Sequence, residues 1–135
     1  MSKSDDALIA AALGAMGQAY APYSQFQVGA ALSDEAGTIH IGVNVENAAY
    51  PQGSCAEAGA IAAMIINGGR KITAVAVAGR GDALCTPCGG CRQRLREFAG
   101  PDTPIIICGE DGERARFTLA QLLPHSFGPD NLSNR

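Results

Sequence analysis

Two stretches of the chain, Ile72 to Ala78 and Pro104 to Cys108, are apolar and partly β-branched almost from end to end. A strand with one face in water alternates apolar with polar residues. Unbroken runs of this kind belong to strands covered on both faces. That single feature calls for helices above and below a sheet, and the rest of the chain has to provide them.

The remaining segments fit that demand. Ser4, Asp5 and Asp6 supply an N-cap and an acidic first turn. Leu8, Ile9, Ala12, Leu13, Met16 and Tyr20 then recur at helical spacing, which predicts a helix to about residue 20, stopped by Pro22. Gln27 to Leu32 and Thr38 to Val45 read as strands, with Asp34-Glu35-Ala36-Gly37 as hairpin turn chemistry between them. Ser54 to Ile66 reads as a helix closed by Asn67-Gly68-Gly69. Its Ala58 to Ile66 part is apolar on nearly every side, which places it in a core or against another subunit. Cys88 to Phe98, whose charges fall mainly on one side, reads as a second helix. Arg114 to Thr118 reads as a short strand and Leu119 to Leu123 as a final helical turn or two. Helix, hairpin, then alternating helix and strand predicts an α/β protein: a three-layer α/β/α sandwich on a five-stranded mixed sheet.

At 135 residues, with 47% hydrophobic and 17% charged, the chain is sized for one domain over residues 1–135 and composed as a folded globule. Its 17 glycines and 7 prolines speak for many turns and short elements, not a coiled coil. A net charge of -3 argues against affinity built on neutralising phosphates, so no nucleic-acid partner is expected. No apolar run approaches a membrane span, so no membrane partner is expected either. The segment from Met1 to Asp6 lacks the basic and apolar regions of a secretory signal. Five cysteines, Cys55, Cys85, Cys88, Cys91 and Cys108, make an odd count without such a signal. This points to a reducing, cytoplasmic setting and to metal or catalytic use of sulfur, not a disulfide framework.

Two short motifs carry chemistry: Cys55-Ala56-Glu57 and Pro87-Cys88-Gly89-Gly90-Cys91. A lone buried cysteine is usually inert. A single Cys-x-x-Cys serves equally as a redox dithiol or as half of a structural zinc site. Together the motifs say more, because both sit where the chain enters a helix. Helix N-termini offer free N–H groups and partial positive charge, which favour thiolates. Three thiolates gathered at two such ends would hold zinc with one corner open to water, as catalytic zinc requires. Glu57 is then placed to reach that water without ligating. A redox protein built on Cys88 and Cys91 leaves Cys55 and Glu57 without a role. A closed structural zinc needs a fourth ligand, for which Cys85 is the nearest candidate.

These residues resemble the small zinc-dependent cytidine deaminases of the cytidine/deoxycytidylate deaminase superfamily, in the three-cysteine form of its homotetrameric branch. The resemblance spans nearly the whole chain. Phe26-Gln27-Val28-Gly29-Ala30-Ala31 is similar to the family's first-strand signature, and Asn44-Val45-Glu46-Asn47-Ala48-Ala49-Tyr50 to its ribose-binding segment. Cys88-Gly89-Gly90-Cys91-Arg92-Gln93 matches the second zinc motif, and Leu122-Leu123-Pro124 through Phe127-Gly128-Pro129 the C-terminal segment. The resemblance implies one zinc ion per subunit on Cys55, Cys88 and Cys91, and hydrolytic deamination of cytidine and deoxycytidine in pyrimidine salvage. Glu57 would shuttle protons while zinc-activated hydroxide attacks C4 of the base. It further implies that main-chain groups of Ala56 and Cys88 line the reacting edge of the base and that Phe26 packs against it. Asn44 and Glu46 would bond the ribose 3′-hydroxyl. Phe127 would close over a neighbouring subunit's site in a homotetramer. A relative acting on another aminopyrimidine nucleoside, such as a blasticidin-type antibiotic, is the alternative. An ionised Glu46 beside the sugar would favour free nucleosides over nucleotides.

One position departs from the pattern. Family members of this branch commonly place Arg directly after the catalytic Glu, where this chain has Ala58. Zinc with three thiolates carries a formal charge of -1, which a nearby guanidinium would offset. The two helix dipoles remain, with Arg92 as a candidate contributor. His125 and Ser126, beside Phe127, are a second and milder departure.

Overall fold

The structure, a computed structural model, describes residues 3–133. Met1 and Ser2, the start of the segment read for a signal, lie outside the described residues, as do the last two residues of the expected 1–135 domain. The elements in chain order are α1 (Lys3–Met16), β1 (Val28–Asp34), β2 (Ile39–Val43), α2 (Ala56–Ile66), β3 (Ile72–Gly79), α3 (Gly89–Arg96), β4 (Pro104–Gly109), β5 (Gly112–Thr118), α4 (Leu119–Leu122) and α5 (Pro129–Ser133). A short 3-10 turn, Tyr50–Gln52, lies between β2 and α2. The five strands form one sheet in the order β2-β1-β3-β4-β5. β3 and β4 pair parallel and every other pair is antiparallel, so the sheet is mixed.

The two apolar runs are β3 and β4, and they behave as their composition demands. Val75, Val77, Ile105 and Ile107 face one side with Ala56, Ala60, Met64 and Leu95 of α2 and α3. Ala76, Ala78, Ile106 and Cys108 face the other side with Leu8, Ile9, Ala12 and Met16 of α1. This is the α/β/α sandwich, with α1 on one face and α2, α3 and the short α4 on the other. The handedness of crossovers explains that division. The paths β2–α2–β3 and β3–α3–β4 each join parallel strands and move the same way across the sheet. Right-handed connections therefore put α2 and α3 on a common face. Both helices also begin beyond the C-terminal ends of their preceding strands, where sites form in such folds.

α2 lies unusually close to the sheet. A Cβ at Gly42 of β2 would sit 2.3 Å from both Ala56 O and Ala60 N. No side chain other than glycine's hydrogen fits between β2 and the first turn of α2. At the far end of β1 the hairpin turn is held by Asp34, whose Oδ1 accepts from Ala36 N at 2.9 Å and Thr38 N at 3.0 Å. Its Oδ2 meets His40 Nε2 at 2.8 Å, and both residues are buried.

Several boundaries differ from the sequence reading. α1 ends at Met16, not near residue 20: Gly17 follows it, and Tyr20 leaves the helix to bridge Val45, half exposed. α2 and α3 begin after Cys55 and Cys88, which are their N-caps, and not at Ser54 and Cys88. Within the single chain α2 is not covered all round, which leaves the second of the two placements, against another subunit. Ala60 and Met64 are buried, whereas Ile66 is 86% exposed. No helix among the described residues is long and apolar enough to cross a membrane.

Candidate metal centre

Two helix starts place the sulfurs. Cys55 caps α2 and Cys88 caps α3, each in extended backbone, and Cys91 lies in the first turn of α3. Their three Sγ atoms all lie within 4.8 Å of one another, and Cys55 Sγ and Cys88 Sγ are 3.9 Å apart. Zinc–sulfur bonds of about 2.3 Å in a tetrahedron require sulfurs about 3.8 Å apart, so the donor set fits a zinc ion. Cys85 does not belong to this group. Among the described residues the fourth corner has no protein ligand, which answers the structural-zinc alternative.

The thiols differ in character. The backbone N–H of Cys91 holds the Cys88 thiol below its ordinary range, helped by the side chains of Cys91 and Cys55 and then by the N–H of Gly90, as a helix start should. Burial pushes the Cys55 and Cys91 thiols up. Burial also pushes Cys85 up to about 11, leaving it a neutral thiol. Glu57, in the first turn of α2, is 4% exposed. Burial raises its carboxyl above the ordinary range, with its own N–H, Cys91 and Arg94 acting in the opposite direction.

A cavity of about 370 Å³ opens over this centre. Phe26, Asn44, Glu46, Cys55, Ala56, Glu57 and Cys88 all line it, together with Cys85 and Thr86, which the sequence reading did not place there. Cys91 lies behind the wall, fully buried. Phe127 is apart from this cavity. It is 57% exposed, and its carbonyl accepts from Gln93 Nε2 at 2.9 Å. Arg96 holds the same segment through Ser126 Oγ at 2.8 Å and Asp130 at 2.7 Å.

Asn44 and Glu46 grip the strand entry that carries Phe26. Asn44 Nδ2 donates to Phe26 O and Asn44 Oδ1 accepts from Val28 N, both at 2.9 Å. Glu46 accepts from the Ser24 hydroxyl and from the amides of Tyr23 (2.9 Å) and Ser24 (3.1 Å). The hydroxyl, and then these amides, keep its carboxyl below the ordinary range and ionised. A second cavity of about 350 Å³, shared at Glu46, Tyr50 and Gly53, extends past Tyr23, whose ring meets that of Tyr50 edge to face.

The arginines of α3 correct one expectation. Arg92 does not serve the sulfurs. It donates to Pro87 O (2.7 Å), Leu122 O (2.8 Å) and Thr86 Oγ1 (3.1 Å), tying the loop before Cys88 to the end of α4. Arg94, one of the charges along one side of this helix, sends Nη1 to Cys91 Sγ at 3.9 Å. Its i, i+3 spacing from Cys91 is the sequence signal for that contact.

A metal site closed by protein is structural, and one with a free corner beside a buried acid is catalytic. This centre is of the second kind, that of a zinc-dependent hydrolytic enzyme. Comparison with known proteins gives the family. Residues 2–108 match the family described as the cytidine and deoxycytidylate deaminase zinc-binding region, and the chain belongs to that family. It is 42% identical over 126 residues to a cytidine deaminase of Sporosarcina psychrophila, covering 93% of each chain. The crystal structure of a cytidine deaminase from Burkholderia pseudomallei superposes with a TM-score of 0.85 at 39% identity, over 94% of this chain and all of that one. A cytidine deaminase from Mycobacterium leprae matches at 0.77 and 43%, over 89% and 97%.

Proposed function

We propose that this chain is a catalytic unit that hydrolyses cytidine and deoxycytidine to uridine and deoxyuridine, releasing ammonia. The observation that carries the proposal is the three-sulfur group beside buried Glu57, with Cys55, Cys88 and Glu57 lining one cavity and Cys91 behind its wall. Cys55, Cys88 and Cys91 would hold zinc, which supplies the Lewis acidity that lowers the pKa of water toward 7.

Glu57 takes the proton of the attacking water, delivers it to N3 of the base, and passes a second proton to the departing amine. Water and nucleoside go in, and uridine and ammonia come out. The dry position of Glu57 suits both directions of transfer, because burial brings its carboxyl toward the working pH. Phe26 packs against the base, and main-chain groups of Ala56 and Cys88 line its reacting edge. Asn44 and Glu46 fix the ribose through its 3′-hydroxyl. The ionised state of Glu46 favours an alcohol and repels phosphate, so free nucleosides are the preferred substrates.

The chain works in the cytoplasm, in pyrimidine salvage, as a homotetramer in which Phe127 closes over a neighbour's cavity. The exposed rings of Tyr50 (75%) and Phe127 (57%) support such an assembly.

Metal analysis together with ammonia release from cytidine tests the reading. One zinc per chain and rapid deamination of cytidine are expected, with cytidine 5′-monophosphate a poor substrate. A metal-free preparation of full activity overturns the zinc reading, and equal efficiency on the monophosphate overturns the nucleoside preference.

A further inference from the structure

Three thiolates around a dication leave a formal charge of -1 at a site where Glu57 adds a second anion. The two helix starts answer part of it, and a nearby cation would further stabilise the complex and keep the metal electrophilic. α2 offers none in its first turn, where Glu57 is followed by Ala58 and Gly59. Arg92 and Arg96 of α3 are committed elsewhere, to Pro87, Leu122 and Thr86 and to Ser126 and Asp130.

Arg94 remains. Among the described residues no carboxylate lies within ion-pair distance of its guanidinium, and its one side-chain hydrogen bond ends on Cys91 Sγ at 3.9 Å. Gly90 makes room for this. A Cβ there would stand 3.2 Å from Arg94 Nη1, so the first turn of α3 is notched where the guanidinium crosses it. Cys91 itself is fully buried, so this contact reaches a sulfur that water does not.

We propose that Arg94 is a positioning residue for the metal: its guanidinium, arriving from α3 and not from α2, offsets the charge of the thiolate set by donating to Cys91 Sγ. The proposal rests on the zinc reading above. A donated hydrogen bond draws electron density off the sulfur, leaving the metal more electrophilic, while the positive charge stabilises the complex as a whole. Both effects act through Cys91, and neither requires Arg94 to touch substrate.

The test uses the full chain loaded with zinc and, separately, with cobalt, comparing wild type with Arg94→Gln and Arg94→Lys. Zinc affinity is read by competition with a chromophoric chelator, and sulfur donation by the energy of the sulfur-to-cobalt charge-transfer band. R94Q should bind zinc about tenfold more weakly, as outer-shell partners of metal sites do. Its band should move to lower energy, because an unbonded thiolate gives up its electron more readily. R94K should fall between R94Q and wild type. Unchanged zinc affinity in R94Q overturns the proposal, and so does weaker binding with an unmoved band, which would mark Arg94 as merely structural. Wild-type protein that takes up no zinc overturns the zinc reading and this proposal with it.

Discussion

His40 Nε2 stands 2.8 Å from Asp34 Oδ2 across the β1–β2 hairpin, with both side chains sealed from solvent. The bond to His40, and after it the turn amides of Thr38 and Ala36, hold the Asp34 carboxyl below its ordinary range. A depressed carboxyl contributes stability that is present above its unfolded value of about 3.9 and lost as pH falls through the folded value. Thermal unfolding of wild type and Asp34→Asn should therefore differ by a constant amount near neutrality. The gap should close as the medium is taken below about pH 4. A gap that persists undiminished into strong acid would refute the assignment.

Gly42 and Gly14 should respond oppositely to alanine. At Gly42 the new methyl meets backbone of α2 at 2.3 Å, so Gly42→Ala should destabilise by about 1–3 kcal/mol. It should also lower activity, since the displaced helix carries Cys55 and Glu57. At Gly14, in α1, nothing lies within 4 Å, and Gly14→Ala should stabilise by about 0.5–1 kcal/mol. Urea denaturation measures both.

Glu57→Gln preserves shape and removes the carboxyl proposed to carry the proton. Turnover of cytidine should fall by about a hundred- to ten-thousand-fold. Zinc content should stay at the wild-type value, because the metal-holding group is Cys55, Cys88 and Cys91, without Glu57. Loss of zinc in parallel with turnover would count against the role given to it here.

Introducing a guanidinium at Ala58, one helical turn after Cys55, tests the electrostatics of the same centre from α2. An added cation favours the anionic forms of the groups it faces. Ala58→Arg should therefore move the acid limb of the kcat/KM profile to lower pH and raise activity on that side. A superimposable pH–rate profile would show that α2 does not need the charge.

The layers and the sulfurs were legible because each leaves a local mark. Ile72 to Ala78 and Ile105 to Cys108 are apolar without alternation since both faces are covered, and Cys55 and Cys88 stand where helices must begin. Other features depend on contacts distant in sequence and leave no such mark. Tyr20 continues the spacing of α1, yet it bridges Val45. Tyr50–Gln52 and Pro129–Ser133 are too short for periodicity to register. His40 sits in a segment that alternates only loosely, and its side-chain partner Asp34 lies across the hairpin. Arg92, Arg94 and Arg96 look alike as one polar face. Only the fold sends the first to the loop before Cys88, the second to a sulfur, and the third to the C-terminal segment.

Cys55 and Cys88 lie 33 residues apart along the chain, yet they start adjacent helices. An ion shared between them would act as a clasp closing everything from α2 through β3 to α3, and its binding energy would become folding energy. Metal starvation would thus loosen the middle of the molecule as well as silence it, and a protease should sense the shortage as readily as a substrate does.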